Sequence, residues 1–240
     1  MTPVEVGRIE AIFRYPVKSM RGEPLEAVTL GWHGLEGDRR LALRRLVDQG
    51  GFPWLTASTL SELVLFTPRG QNGDALPTHI HTPEGEEMPV FGDALAAYIE
   101  RRHGSPVQMM RLNNGIFDDA SISVITTDTA REICRAAGQN TDVRRFRPNL
   151  VVRPSPAPPF AEDGWVGGVL TFGEGDEAPA VTVTTRDLRC VMINIDPDDG
   201  SRASEVLKAA ARLNQSHAGI YAAVTRSGRV AVGQTVLLHR

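Results

Sequence analysis

Residues 6–47 read VGRIEAIFRYPVKSMRGEPLEAVTLGWHGLEGDRRLALRRLV, in which short apolar runs alternate with turn residues. These runs predict three strands, Val6–Tyr15, Glu26–Leu30 and Arg40–Val47, because each is short and is bounded by glycine or proline. Short strands separated by frequent turns are typical of a barrel-like mixed fold and not of a doubly wound sheet.

The rest of the chain continues this pattern and adds a few helices. Further strands are predicted at Leu63–Thr67, Ser121–Ile125, Leu150–Val152, Val169–Phe172, Ala180–Thr185 and Val191–Ile195, and a closing hairpin joins Tyr221–Thr225 to Val230–Leu238 around Ser227–Gly228. Helices are predicted at Ala94–His103, from a cap at Thr127 or Asp128 to Ala137, and at Ser204–Leu213. We therefore predict an α+β fold that is mainly β and barrel-like, with a few short helices.

Composition restricts the class of protein. The chain has 240 residues, of which 41% are apolar and 23% charged, and its formal net charge is −3. This charge provides no basic field that would favour nucleic acid. The first residues are too polar for a secretory signal, and no run reaches the roughly 18 apolar residues that a spanning helix needs. We expect a cytoplasmic protein without a nucleic-acid or membrane partner.

Basic residues concentrate in turns, whereas a Walker-type loop and a G-x-G-x-x-G motif are absent from the sequence. Lys18 and Ser19 follow the first predicted strand, and a second basic turn spans residues 34–40. Ammonium, hydroxyl and free amide groups in a turn can bind a phosphate. A third concentration is the arginine cluster, Arg131, Arg135, Arg144, Arg145, Arg147 and Arg153. For any one arginine the alternative is a solvated surface ion pair, but the three clusters together indicate an anion site.

The two cysteines differ in context. Cys134 falls at helical spacing with small apolar neighbours, which predicts a core position. Cys190 follows Arg186 and Arg189, and nearby arginines favour the thiolate that binds metals. The other interpretation of Cys190, a buried strand cysteine, has equal weight on spacing alone.

A series of short motifs resembles the MOSC-domain superfamily, which is named for the C-terminal part of molybdenum cofactor sulfurase. The motifs are, in order, 15–19 (YPVKS), 34–39 (GLEGDR), 146–151 (FRPNLV), 162–165 (EDGW), 189–190 (RC) with 196–197 (DP), 219–221 (GIY) and 228–233 (GRVAVG). Within the superfamily, the chain looks most like the amidoxime-reducing component proteins and their bacterial homologues. The resemblance covers nearly the whole chain and implies an N-terminal β-barrel-like domain at 1–105 followed by a MOSC domain at 106–240.

The resemblance also implies a molybdenum–molybdopterin cofactor and assigns roles to residues. Cys190 would ligate the metal, and Asp196 or Tyr221 would deliver protons to the departing oxygen, so all three are predicted catalytic residues. The cofactor would be bound by Lys18, Ser19, Arg39, Ser121, Thr127, Arg147, Asn149, Arg189 and Tyr221. Two positions depart from the family pattern: Ser58 stands where many relatives have arginine, and Asn194 stands where threonine or serine is usual.

The implied activity is reduction of N-hydroxylated small molecules, hydroxylamines and amidoximes. The electrons would come from a separate ferredoxin-like or flavoprotein-like donor. The alternative is a molybdenum cofactor carrier or sulfur-transfer protein without reductase activity. A third possibility is a binding module that keeps the fold without the cofactor, because fold alone does not fix function.

Overall fold

The computed structural model describes residues 3–47, 50–70 and 76–240. Its strands are β1 Val4–Arg14, β2 Glu23–Leu25, β3 Ala27–Gly31, β4 Gly34–Leu35, β5 Leu41–Arg45, β6 Thr67–Arg69, β7 His79–His81, β8 Glu87–Pro89, β9 Val107–Arg111, β10 Ile122–Thr126, β11 Leu150–Pro154, β12 Val169–Phe172, β13 Ala180–Leu188, β14 His217–Arg226, β15 Gly228–Ala231 and β16 Thr235–His239. The α-helices are α1 Asp93–His103, α2 Thr127–Ala136 and α3 Glu205–Asn214. Four 3-10 helices lie at Ser61–Leu65, Val143–Phe146, Ala161–Trp165 and Val191–Asn194.

A closed barrel of seven strands forms the centre of the molecule. The strands follow the order β11, β10, β14, β13, β12, β16 and β1, and β1 closes the ring by pairing with β11. Only the β10–β11 pair is parallel among these neighbours. Inward-facing Ile9 and Ile12 of β1 pack against Leu150, Val152 and their neighbours. A closed ring leaves no free strand edge, so alternating apolar residues can fill the interior.

Helices α2 and α3 pack together outside this barrel. Thr126 caps α2, because its hydroxyl accepts a hydrogen bond from the Thr129 amide at 3.3 Å. The apolar face of α2 includes Cys134, which is fully buried among alanine and isoleucine side chains. The prediction of Cys134 as a core residue is therefore confirmed.

Strand β2 extends the barrel sheet beside β1. The remaining strands form three small sheets, of which the β3–β4–β15 sheet packs on the barrel core and the other two surround a second core. Strands β3 and β4 associate with β15, β5 pairs with β9, and β6, β7 and β8 form a meander. Helix α1 lies against this second core, which contains Leu43, Phe66 and Ile99. The division at residue 105 remains a prediction, since β1 belongs to the barrel and β15 pairs with β3.

The prediction of a mainly β, α+β fold with a barrel is confirmed, but several local predictions are wrong. The runs 63–67 and 191–195 contain 3-10 helices where strands were expected, because a short apolar run does not distinguish strand from helix. Residues 221–238 do not close as one hairpin, since β15 leaves β14 to pair with β3. The cap of α2 is Thr126 and neither Thr127 nor Asp128.

Among the described residues, no helix combines the length and the apolar character needed to cross a bilayer.

The close packing at the barrel closure can be tested at Gly7, where β1 contacts both β11 and β16. Its φ is +152°, and an added Cβ would lie 2.3 Å from the Arg153 carbonyl oxygen. We expect Gly7→Ala to lower the free energy of unfolding by about 3 kcal/mol. The control is Gly233→Ala, where φ is +85° but no atom lies within 4 Å, with an expected loss of about 1 kcal/mol. Urea unfolding followed by circular dichroism measures both, and equal losses would contradict the role of the close contact.

Candidate functional site

A cavity of about 390 Å³ opens between one end of the barrel and the turns of the N-terminal region; we call it the Cys190 cavity. Five cationic side chains line it, together with the carboxylates of Asp118 and Asp187. The cations are Lys18, Arg39, Arg145, Arg147 and Arg189. A cavity of this size and charge suits a small anionic ligand.

Three residues that line the cavity occupy left-handed backbone conformations. The φ angles of Ser19, Arg39 and Arg147 are 69°, 50° and 51°. Residues other than glycine adopt this conformation at some cost, and they do so mainly where tertiary contacts impose it. The amide of Arg39 donates to the Tyr15 carbonyl at 2.7 Å, which fixes the second of these turns.

The ring of Tyr15 lies between two of these cations. The guanidinium carbons of Arg39 and Arg147 lie 4.8 Å and 4.2 Å from its centroid. Both contacts are in the range of cation–π attraction. Burial raises the pKa of Tyr15 to about 12, so its hydroxyl remains neutral.

The two guanidiniums on Tyr15 differ in their counter-charges. Arg39 pairs with the buried carboxylate of Asp38 at 2.5 Å and donates to the Arg147 carbonyl at 3.0 Å. Arg147 has no acidic partner within the described parts of the chain, and its buried Nη2 lacks a hydrogen-bond acceptor. Burial, with Arg39 nearby, lowers the pKa of Arg147 to about 10. An anion in the cavity would supply the missing counter-charge.

Lys18 completes the cationic side of the cavity. Its Nζ lies 2.6 Å from Asp118, a residue on the loop before β10. Burial lowers the pKa of Lys18, and Asp118 only partly opposes that effect. This ion pair holds the ammonium at the cavity wall.

Cys190 lies at the mouth of the cavity, in an exposed position after β13. The prediction that both neighbouring arginines favour its thiolate does not match the contacts seen. Arg186 pairs with Asp163 at 2.9 Å, and Arg189 pairs with Asp187 at 2.7 Å. The interpretation of Cys190 as a buried strand cysteine is wrong, because its side chain is exposed.

Asp187, Ser123 and Tyr221 come from three adjacent barrel strands, β13, β10 and β14. The Ser123 hydroxyl donates to Asp187 at 3.0 Å. Burial raises the pKa of Asp187, although the Arg189 guanidinium opposes the rise. Burial, followed by the charge of Asp187, also raises the pKa of Tyr221. The barrel therefore presents a carboxyl and a phenol whose pKa values are both raised.

Arg189 is fixed by the protein on three sides. It donates to the carbonyls of Phe146 and Ala218, both at 2.7 Å, in addition to its pair with Asp187. The guanidinium thus ties β13 to the loop that carries Arg147. These contacts hold Asp187 and the backbone before Cys190 in place.

The structure brings together seven of the residues predicted for the site and leaves four outside the cavity lining. Those that line it are Lys18, Ser19, Arg39, Arg147, Arg189, Cys190 and Tyr221. Asp196 lies behind the wall, where it pairs with Arg145. Ser121 and Thr127 are half-buried next to β10 and at the start of α2, away from the cavity lining.

Asn149 is the fourth predicted residue outside the lining, and its contacts explain why. Its Oδ1 accepts from the Ser123 amide at 3.1 Å and from Arg39 at 3.3 Å, and its Nδ2 donates to the Phe13 carbonyl at 3.3 Å. Asn149 therefore joins β1, β10 and the Arg39 turn beneath the cavity. It supports the site without facing it.

Sequence reasoning missed several cavity residues, and it overestimated the arginine cluster. Phe52, Thr56, Asp118, Ser123 and Asp187 line the cavity but are dispersed along the chain without a motif. Arg131, Arg135 and Arg153 form exposed ion pairs with nearby carboxylates. Within the arginine cluster, only Arg145 and Arg147 reach the cavity.

The two departures from the family pattern have different positions. The Asn194 side chain accepts a hydrogen bond from the Leu207 amide at 2.9 Å and so satisfies the first turn of α3. It does not line the cavity, whereas Ser58 does. Only the departure at Ser58 changes the surface that a ligand would meet.

The structure thus combines a closed, mainly β barrel with a cationic cavity that has a cysteine at its mouth. The chain belongs to the MOSC domain family, whose model matches residues 99–237. The model of the MOSC N-terminal beta barrel domain matches residues 6–120. No curated protein sequence matched the chain.

Two solved structures are similar to parts or all of the chain. The YuaD protein of Bacillus subtilis is similar over 99% of this chain and 98% of its own, with 14% identity and a TM-score of 0.53. YiiM of Geobacillus stearothermophilus matches 50% of this chain and 54% of its own, with 15% identity and a TM-score of 0.38. The likeness to YuaD shows a common fold.

Arg147 should dominate anion binding in the Cys190 cavity. We expect Arg147→Gln to weaken the binding of pyrophosphate by at least about tenfold, because a charge-assisted contact is lost. Wild-type affinity should fall as the pH rises through about 10, because the guanidinium of Arg147 loses its charge there. Isothermal titration calorimetry measures both effects. The control is Arg153→Gln, an exposed member of the arginine cluster, and an equal loss in this variant would contradict the assignment.

Proposed function

We propose that the chain binds the molybdenum–molybdopterin cofactor in the Cys190 cavity and reduces N-hydroxylated small molecules. The observation that carries this proposal is the buried, unpaired guanidinium of Arg147 in the same cavity as the exposed thiol of Cys190. A bound anion would stabilise the unpaired guanidinium, and the thiolate of the cysteine is a soft metal ligand.

The residues present fit this cofactor. Its phosphate would meet Lys18, Ser19 and Arg39, and Arg147 would balance a further part of its charge. Cys190 would supply the thiolate ligand to the metal at the open end of the cavity. Lys18 and Arg147 both have lowered pKa values, and a bound anion would raise them again.

When bound, the cofactor supplies two-electron chemistry that can remove oxygen from nitrogen. The overall reaction converts R–NHOH, two protons and two electrons into R–NH₂ and water. The 240 residues contain two cysteines, fewer than the four ligands of a common iron–sulfur cluster. The electrons would thus enter from outside these residues, and the donor we propose is a separate ferredoxin-like or flavoprotein-like protein.

Asp187 is the group in this site best placed to donate a proton. It lines the cavity three positions before Cys190, and burial holds its pKa above the usual range. Ser123 and Arg189 fix its orientation through contacts of 3.0 Å and 2.7 Å. Asp196, the carboxylate assigned this role from sequence, is paired with Arg145 outside the cavity lining.

Tyr221 would donate a hydrogen bond to the substrate, because its raised pKa keeps the phenol protonated.

A second function is favoured by the exposure of Cys190. A cysteine at the surface can pass the outer sulfur of a persulfide directly to a thiol of another protein. A ligand bound to such a cysteine can likewise be released directly to another protein. This observation supports a cofactor carrier or a sulfur-transfer protein. Both functions would use the same anion-binding residues, but only the reductase would convert a substrate.

The proton-donor assignment can be tested by comparing two carboxylates. We expect Asp187→Asn to lower kcat for hydroxylamine reduction by about 100-fold at unchanged cofactor content, because a positioned proton donor is lost. Asp196→Asn should lower kcat by less than about tenfold, since its carboxylate lies behind Arg145.

The pH profile provides an independent readout of the same assignment. A rate that needs the protonated carboxyl falls as the pH rises through the pKa of Asp187, and this dependence should vanish in Asp187→Asn. Reduced methyl viologen supplies the electrons in both assays. If the loaded chain leaves hydroxylamines unreduced but transfers its cofactor to an apo-enzyme, the reductase proposal is wrong and the carrier function stands.

A further inference from the structure

A second cavity of about 280 Å³ lies on the other side of Arg145, Arg147 and Met192, which line both cavities. We call it the Tyr15 cavity, because Tyr15 lines it and does not line the Cys190 cavity. None of the residues specific to this second cavity takes part in the proposed reduction. We propose that it binds a small organic carboxylate with an apolar body. This binding does not need the cofactor proposed above, although the cation of Arg147 borders both cavities.

Several residues that line the Tyr15 cavity carry buried polar atoms without hydrogen-bond partners. Four residues that line it carry a buried atom that lacks a hydrogen-bond partner: the hydroxyl of Tyr15, the Nε atoms of Arg21 and Arg145, and Nη2 of Arg147. The Tyr15 side chain itself is only 2% exposed. Leaving such groups unsatisfied is unfavourable, and native proteins rarely do so without a bound water or ligand.

All four atoms are hydrogen-bond donors, so the missing partner is an acceptor. Every N–H group of a guanidinium can only donate, and the Tyr15 phenol remains protonated because its pKa is raised to about 12. A carboxylate accepts several hydrogen bonds at once and matches this set of donors. A neutral amide of the same shape would bring an N–H₂ group that meets further donors.

The charge of the lining also favours an anion. Arg69 and Arg147 have no ion pair in the described parts of the chain, whereas Glu23, the carboxylate of the lining, is paired with Arg14 at 2.7 Å. Arg144 is already neutralised by Asp142 and Asp198. Arg21 and Arg145 also have aspartate partners. Within the described parts of the chain, Arg69 and Arg147 are therefore the cations of this lining that have no carboxylate partner.

The rest of the lining is apolar, which restricts the kind of anion. Phe13, Val64 and Ile195 contribute side chains, and Pro24 and Pro68 add rigid apolar surface. A hydrated inorganic ion gains little from such walls, whereas an aryl or alkyl body buries apolar area against them. The combination selects a carboxylate attached to a hydrophobic group.

The test is calorimetric titration of the full-length chain with benzoate, with neutral benzamide as the matched ligand. We expect saturable benzoate binding, and benzamide binding weaker by at least about tenfold. Tyr15→Phe keeps the ring on which Arg39 and Arg147 stack and removes only the hydroxyl, so it should weaken benzoate binding by about tenfold. Arg69→Gln changes an exposed residue that the fold does not need, and it should weaken binding by about threefold.

A variant in the other cavity separates the two sites. Lys18→Met removes a cation of the Cys190 cavity and should leave benzoate affinity unchanged. Absence of saturable benzoate binding, or equal binding of benzamide, overturns the proposal. Loss of binding in Lys18→Met, or full binding in both Tyr15→Phe and Arg69→Gln, also overturns it, because the benzoate would then occupy another site.

Discussion

Arg147 is a buried guanidinium that no carboxylate neutralises within the described structure, and much of the surrounding architecture keeps it in place. A buried charge without a counter-ion is destabilising by itself. Here the ring of Tyr15 lies 4.2 Å from the guanidinium carbon, and the left-handed turn at Arg147 directs the chain into β11. Arg39 holds the carbonyl of the same residue at 3.0 Å. The fold accepts this unfavourable arrangement at a cavity, where a ligand can offset it.

The site depends on both parts of the chain. The barrel contributes Ser123, Asp187 and Tyr221 from neighbouring strands, which is a rigid arrangement suited to proton transfer. The N-terminal turns contribute Lys18 and Arg39, two cations that suit a phosphate. Asn149 joins the two parts by accepting hydrogen bonds from β10 and from Arg39. Because β1 is itself a barrel strand, the turn that carries Lys18 has a fixed position relative to Cys190.

Much of the fold could be predicted from local pattern, since short apolar runs bounded by turn residues specify strands such as β12, which lies between Gly168 and Gly173. The 3-10 helices in the runs 63–67 and 191–195 could not be predicted in this way, because a single 3-10 turn and a short strand have the same apolar content. Motifs located the residues that are consecutive in sequence, including Lys18, Ser19 and Cys190. Asp187 and Asp118 were missed because only strand pairing and ion pairing bring them to the cavity. The arginine cluster was overestimated since sequence does not show which arginines meet a carboxylate on their own helix.

The central claim is that the unpaired cation and the exposed thiol serve one bound anionic metal cofactor. The most direct measurement is the molybdenum and pterin content per chain, for the wild type and Cys190→Ser, purified from a host that makes the cofactor and is supplied with molybdate. The account predicts near-stoichiometric metal and pterin in the wild type and a marked loss of metal in Cys190→Ser. Absence of both from the wild type, in a host shown to load another molybdenum enzyme, would contradict it.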